Sequence, residues 1–194
     1  MKNMSGFTIV ELLVVIVVLG VLSSVVVVAY GGIQERARNA TLQAAMDTLE
    51  KGLTLYSKTN GGYPDPTELP VDPVAQVAVA CMQPTSSGWL AQSGLSASQC
   101  YVSGGSAPSY VGYSTVVRQA LLTQISAIPD TNDIITSTSS NTAFRGVMYQ
   151  YQRTTGQAVL MYYVPGNQSC GRAAKSTVSG QTLCVLNLPN PANN

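Results

Sequence analysis

Histidine is absent from the 194 residues. That removes His-based triads, histidine general bases and zinc sites with histidine ligands. Charge is scarce too. Asp, Glu, Lys and Arg together make up 10% of the chain, against about a quarter in an ordinary domain. Residues 61–194 carry Asp65, Glu68, Asp72, Asp130 and Asp133 against Arg118, Arg145, Arg153, Arg172 and Lys175. The signs balance there, so a broadly basic nucleic-acid face is not supported. No Cys-x-x-Cys pair occurs, which speaks against zinc-ribbon and thioredoxin-like chemistry. No G-x-x-x-x-G-K-[ST] loop occurs either, so an ATPase built into this chain is excluded. The Lys175-Ser176 neighbour pair is a weak basis for a serine nucleophile.

What is present begins with hydrophobicity. From Leu12 to Gln34 no residue is charged, and Leu12–Tyr30 is dominated by Val, Leu and Ile. A membrane-spanning helix needs about 20 such residues. A removable secretory signal has a shorter apolar run, closed by a small-residue cleavage site. The run here leads instead into Ala29-Tyr30-Gly31-Gly32, so it is expected to stay on the protein. Glu11 sits inside the apolar stretch that opens at Phe7. A charge near a membrane core costs about 3 kcal/mol or more unless paired, which makes it a functional candidate. The plainer reading is that Glu11 marks the membrane boundary.

Lys2, then Gly6-Phe7-Thr8-Ile9-Val10-Glu11 and the apolar run behind it, resemble the leader and first helical turns of the type IV pilin and pseudopilin family. The resemblance covers about 30 residues. It implies a leader over 1–6, cut by a membrane-bound prepilin peptidase between Gly6 and Phe7, and N-methylation of Phe7. It makes Glu11 the fifth residue of the mature chain, a residue used in assembly. Members often carry a proline midway along the apolar segment; none stands here before Pro64. Lys2 precedes the span while Arg36 and Arg38 follow it, so charge bias does not choose an orientation. The resemblance chooses the N-terminus-in arrangement.

Residues 7–32 are thus expected to form a transmembrane or filament-core helix. Residues 33–60 continue as an amphipathic helix, with Leu42, Met46, Leu49, Leu53 and Tyr56 at helical spacing on one stripe. Asn60-Gly61-Gly62 before Tyr63-Pro64 reads as its stop. Residues 61–194 form the head. Loops with one short element are expected over 64–112, and a helix over Tyr113–Ile128. Strands are expected at Val147–Gln152, where Val147, Tyr149 and Tyr151 share a face, and at Ala158–Val164 and Thr182–Leu188. The fold class is α+β: a long N-terminal helix packed on a small antiparallel sheet. The cysteines Cys81, Cys100, Cys170 and Cys184 suit two disulfides in an oxidising compartment, against four buried thiols in a reducing one. Four cysteines allow three pairings; Cys81–Cys100 and Cys170–Cys184 are favoured because each closes a Gly/Ser-rich loop. The tail Pro189–Asn194 reads as frayed.

The resemblance implies a structural role without catalysis or cofactor. The leading expectation is a type IV pilus subunit, a single-pass membrane protein that joins an extracellular filament on a prokaryotic surface. Its expected partners are lipid, the peptidase, other copies of itself and an assembly platform with its ATPase. The alternatives are a pseudopilin of a type II secretion-like or DNA-uptake machine, or a minor pilin with an adhesin or DNA-binding role. For DNA, Tyr63, Tyr101, Tyr110, Tyr113, Tyr149, Tyr151, Tyr162 and Tyr163 could stack on bases, but a basic groove is normally needed as well. Asp130-Thr131-Asn132-Asp133 offers oxygen ligands of the kind that hold Ca²⁺ in loops of some pseudopilins. The spacing is not that of an EF-hand, turn chemistry explains these residues equally, and no metal is expected.

Overall fold

A computed structural model describes residues 8–82, 100–102, 111–131, 134–139 and 142–191, with side chains at all of these except 26–31, 102 and 135–139. The chain falls into two compact units, Met1–Ala37 and Arg38–Asn194. The elements are α1 (Ile9–Asn60), β1 (Val77–Cys81), β2 (Tyr101–Val102), β3 (Val111–Tyr113), α2 (Thr115–Leu122), β4 (Ile135–Ser139), β5 (Thr142–Arg145), β6 (Met148–Gln152), β7 (Gln157–Pro165), β8 (Ala174–Val178) and β9 (Gln181–Asn187). The α+β class stands. The stop at Asn60-Gly61-Gly62 is where α1 ends: Gly61 takes φ 78° and its N–H donates to the Ser57 carbonyl at 2.8 Å. Only glycine adopts that left-handed cap without steric cost.

In the second unit six strands form a sheet in the order β3-β1-β6-β7-β9-β8, and three form a smaller one in the order β2-β5-β4. All pairs are antiparallel except β1 with β3. The C-terminal stretch of α1 covers one face of the large sheet. Leu42, Met46, Leu49 and Leu53 are buried there with Val147, Tyr149, Leu160, Tyr162 and Val164. Tyr56 is only half-buried. The opposite face meets the small sheet in a second cluster of Val79, Cys81, Cys100, Val111 and Met148, with Phe144, Met161 and Tyr163 at its edge. On β7 the alternation is therefore not polar against apolar. Leu160 and Tyr162 face the helix while Met161 and Tyr163 face the small sheet.

Three expectations change. Residues 64–112 hold three described strands rather than one short element, and β1 lies between β3 and β6. Its Ala78 and Ala80 stand directly opposite Tyr151 and Tyr149; small residues on one strand leave room for large rings on the next. The helix expected over Tyr113–Ile128 is only Thr115–Leu122. Thr123 turns its hydroxyl back onto the Ala120 carbonyl at 2.7 Å, an alternative to continuing the helix. Strand β8 was not expected at all. Its five residues are exposed on both faces and leave no periodic signal.

Polar groups tie loops onto this core. Tyr162 donates its hydroxyl to Asn39 Oδ1 at 3.2 Å, and Asn39 and Gln43 each donate to the Ser169 carbonyl at 2.8 Å. Burial pushes the Tyr162 hydroxyl up to about 12. Tyr149 donates to the Pro64 carbonyl at 2.9 Å and Tyr63 to the Pro189 carbonyl at 2.7 Å. Arg153 Nε reaches both Asp65 oxygens at 2.9 and 3.1 Å, and its Nη2 donates to the Pro66 and Leu69 carbonyls. Ser114 caps α2, accepting from the Val117 N–H at 3.1 Å. Glu68 reinforces that cap by accepting from the Val116 N–H and from the Ser114 and Thr115 hydroxyls.

Two predictions follow from this packing. Leu53 is fully buried and Leu55, two positions on, is 50% exposed. In urea denaturation Leu53→Ala should cost about 2–5 kcal/mol, and Leu55→Ala under about 0.5 kcal/mol. Burial alone would lift the Glu68 carboxyl, but its hydrogen bonds outweigh that and hold it below the ordinary carboxylate value. A lowered folded pKa stabilises the fold above the unfolded value of about 4.3, and this contribution is lost as pH falls through the folded value. Glu68→Gln should therefore destabilise at pH 7, by about 0.5–1 kcal/mol for an exposed helix cap. The gap to wild type should close as pH is lowered below about 4, measured as the difference in denaturation midpoint.

Candidate functional site

The candidate site is the start of α1. Thr8 precedes the first helical residue, and its Oγ1 accepts from the Glu11 N–H at 3.2 Å. Glu11 reaches back: its Oε2 accepts from the Thr8 N–H at 2.9 Å and from the Thr8 hydroxyl at 2.7 Å. The Leu12 N–H then donates to the Thr8 carbonyl at 3.3 Å. This is a capping box, in which N-cap and N3 residues satisfy each other's orphan donors. It also sets a carboxylate at the positive end of the helix dipole. Glu11 stood out in the sequence as a charge in an apolar run and by resemblance, while Thr8 carried no role of its own. The signal was there, because Thr8-Ile9-Val10-Glu11 is a T-x-x-E opening an apolar run.

Beyond the cap the described side chains of Ile9 to Val25 are almost wholly apolar and every one is exposed. Leu12, Leu13, Val15, Ile16 and Leu19 lie on different sides of the helix, yet each is between 46% and 59% exposed. A helix apolar all round belongs in a core, a bundle or a bilayer rather than in water. Among the described residues, however, no helix is long and apolar enough to cross a membrane. The described side chains of the run stop at Val25 and resume at Gly32. The expected span over 7–32 thus includes residues 26–31, whose side chains are not described, and Gly6 and Phe7 lie outside the described residues.

The other candidate residues fall in the second unit. Cys81 is bonded to Cys100 and Cys170 to Cys184, each with Cα atoms 5.4 Å apart. The first bridge lies in the cluster between the two sheets. The second lies under α1 with Leu188. Neither exposes a thiol, so no cysteine chemistry is on offer. Arg172, in the loop of the second bridge, reaches Asp47 at 2.7 Å and Glu50 at 2.5 Å. Hydrogen bonds that it donates to these two carboxylates raise its pKa further still.

The cations of residues 140–194 do not form the basic groove that DNA binding needs. Arg145 is buried, Arg153 is bound to Asp65, Arg172 is bound to two carboxylates on α1, and Lys175 donates to Asn167 Oδ1. Tyr63, Tyr149 and Tyr162 are buried, and Tyr101 and Tyr163 stack on the two sides of Phe144 at 4.7 and 3.6 Å. Tyr110 lies outside the described residues. Lys175 is held by Asn167 rather than by Ser176, so the serine–lysine pair has no catalytic geometry. No cluster of three potential metal ligands occurs among the described residues; Asn132 and Asp133 lie outside them.

A capped helix opening an apolar run is what a prepilin-type N-terminus presents. Residues 1–27 match the family model for the prokaryotic N-terminal methylation motif, and the chain carries the N-terminal segment of the type IV pilin and pseudopilin family. It is similar to the type II secretion system core protein G of Aeromonas hydrophila, with 36% identity over 85 residues, 44% of this chain and 59% of that protein. It is also similar to the core protein G of Klebsiella pneumoniae, with 41% identity over 64 residues, 33% of this chain and 46% of that one. The Dickeya chrysanthemi protein of the same name is 40% identical over 63 residues, 32% of this chain and 41% of its own. The chain thus spans about half the length of the curated relatives it matches. No solved structure matches it.

The capping box makes a direct prediction. Glutamine serves at N3 as glutamate does, so Glu11→Gln should leave first-turn amide exchange close to wild type. Thr8→Ala removes the N-cap oxygen and should cost about 1 kcal/mol locally. Hydrogen exchange at residues 11 and 12 in detergent micelles should then quicken about fivefold.

Proposed function

We propose that the protein is a pseudopilin, a structural and non-catalytic subunit of a filament that works in a type II secretion-type machine of the cell envelope. One observation carries this reading: the methylation motif over residues 1–27 occurs in a chain 36% identical over 85 residues to a type II secretion core protein. The leading expectation from the sequence was a surface pilus. The relatives favour the secretion machine, and with it a periplasmic filament rather than an extracellular one.

The physical sequence of events follows from the residues. The apolar stretch behind Glu11 is held in lipid, where its exposed side chains are covered. Prepilin peptidase cuts between Gly6 and Phe7 and methylates the new amine of Phe7. An assembly platform and its ATPase then move the subunit from lipid into a bundle of like helices. Both environments cover the same side chains, so the transfer leaves the apolar burial largely unchanged. Selection of the correct axial offset then falls to the polar groups at the helix tip. Glu11 of one copy and the Phe7 amine of a neighbour are an opposite pair in a bundle with few other charges. Desolvation offsets much of their attraction, so their role is register more than affinity.

Disruption of the gene in its own host tests the reading. Proteins normally released to the medium should accumulate behind the outer membrane while long surface filaments persist. Subunits from assembled filaments should begin at Phe7 by intact mass, and Glu11→Ala should give processed subunits that fail to assemble. Normal secretion with loss of surface filaments would return the protein to the pilus class. Met1 on assembled subunits would overturn the processing step.

A further inference from the structure

The second unit carries two exposed surfaces of complementary character. One is a groove of about 490 Å³ along α1, lined by Glu50, Lys51, Leu55, Lys58, Arg172 and Pro189 among others; Glu50 is paired with Arg172, which leaves the charges of Lys51 and Lys58 to face the groove. Lys51, Leu55 and Lys58 recur at helical spacing, and Leu55 is 50% exposed between the two lysines. The other is the loop from Asp65 to Gln76. It lies in the stretch 59–117, which contains Asp65, Glu68 and Asp72 but neither lysine nor arginine. The partners of Glu68 and Asp72 in the structure are hydroxyls and backbone amides, so their charge is not neutralised there.

At the tip of this loop Val74 is 92% exposed, the highest exposure of any large apolar residue described. The tip is fixed. Asp72 Oδ1 accepts from the Val74 and Ala75 N–H groups at 2.9 and 2.6 Å, and the Gln76 N–H donates to the Asp72 carbonyl at 2.9 Å. Gln76 takes φ 55° to close the turn. A rigid apolar knob beside a carboxylate loses little entropy on docking.

We propose that the Asp72–Gln76 tip of one copy seats in the α1 groove of the next, with Val74 against Leu55 and Pro189 and Asp72 between Lys51 and Lys58. This rests on the filament reading and deepens it. The two surfaces differ and lie on the same chain, so the contact is heterologous, and repetition of a heterologous contact that does not close builds an open helical array. The contact is small against the 1,200–2,000 Å² or so of a stable interface. It therefore acts only among subunits already held together by their N-terminal helices, where effective concentration is high.

Cysteine cross-linking in assembled filaments tests it, with wild-type filaments in the same cells as the reference. The double variant Leu55→Cys/Val74→Cys should give a ladder of multimers on a non-reducing gel, at least tenfold above either single variant. A mixture of the two single variants should give dimers and nothing larger. Dimers from one single variant alone would show a homotypic contact and overturn the proposal, as would no cross-link in filaments of the double variant. Should the double variant fail to assemble while wild type assembles, the mixture decides: dimers support the contact and their absence overturns it. Absence of wild-type filaments would instead fail the filament reading, and this proposal with it.

Discussion

Burial of one leucine stripe on α1 is the constraint from which the second unit is built. Leu42, Leu49 and Leu53 have no exposed surface to speak of. The strands beneath them are chosen to receive them. Tyr149 and Tyr162 bring large rings to the interface, Ala80 and Ala158 give way beside them, and the ring hydroxyls find partners at Pro64 and Asn39. Without those partners each buried hydroxyl would be a penalty of about 1–3 kcal/mol. Gly52 belongs to the same arrangement. A Cβ there would stand 3.0 Å from Leu121 and 3.1 Å from Ile125, so its absence lets α2 and the turn after it close over the helix.

Sparse charge is used for the same end. Arg153 pins the Asp65–Leu69 loop, and Arg172 pins the second disulfide loop to α1. Such exposed pairs contribute little to overall stability, but they fix where loops lie. The cystines constrain the same regions covalently. Among the described residues these ties hold the Asp65–Leu69 loop and the second disulfide loop against the core.

Legibility in the sequence followed burial pattern. Leu42–Leu53 repeats at helical spacing over one covered face, so the helix and its inner side could be read directly. Val147–Gln152 and Ala158–Val164 alternated clearly, yet alternation showed only which residues share a face, and here both faces are covered. The small sheet was invisible. Strand β2 has two residues and pairs with β5 about forty residues on, while β4, next to β5 in the chain, is nearly all Ser and Thr and leaves no apolar alternation. At the N-terminus the reverse held. Glu11 was legible through resemblance, while the reason it suits the start of a helix lay in Thr8, three residues earlier, as a local hydrogen-bonding pattern.

Among the described residues strand β8 ends the large sheet, its main-chain groups paired on the β9 side. An unpaired strand edge is a template for pairing with another chain. In the filament proposed above, association through the N-terminal helices would be ordered by the machine, and strand addition at β8 would be a second route outside that order. The edge is kept short, carries the ammonium of Lys175, and turns back through Ser179 and Gly180, both at positive φ, a tight twisted hairpin. Lys175→Val would remove the charge and make the strand attractive to its own kind. A charged side chain on an exposed edge strand opposes pairing with another such edge.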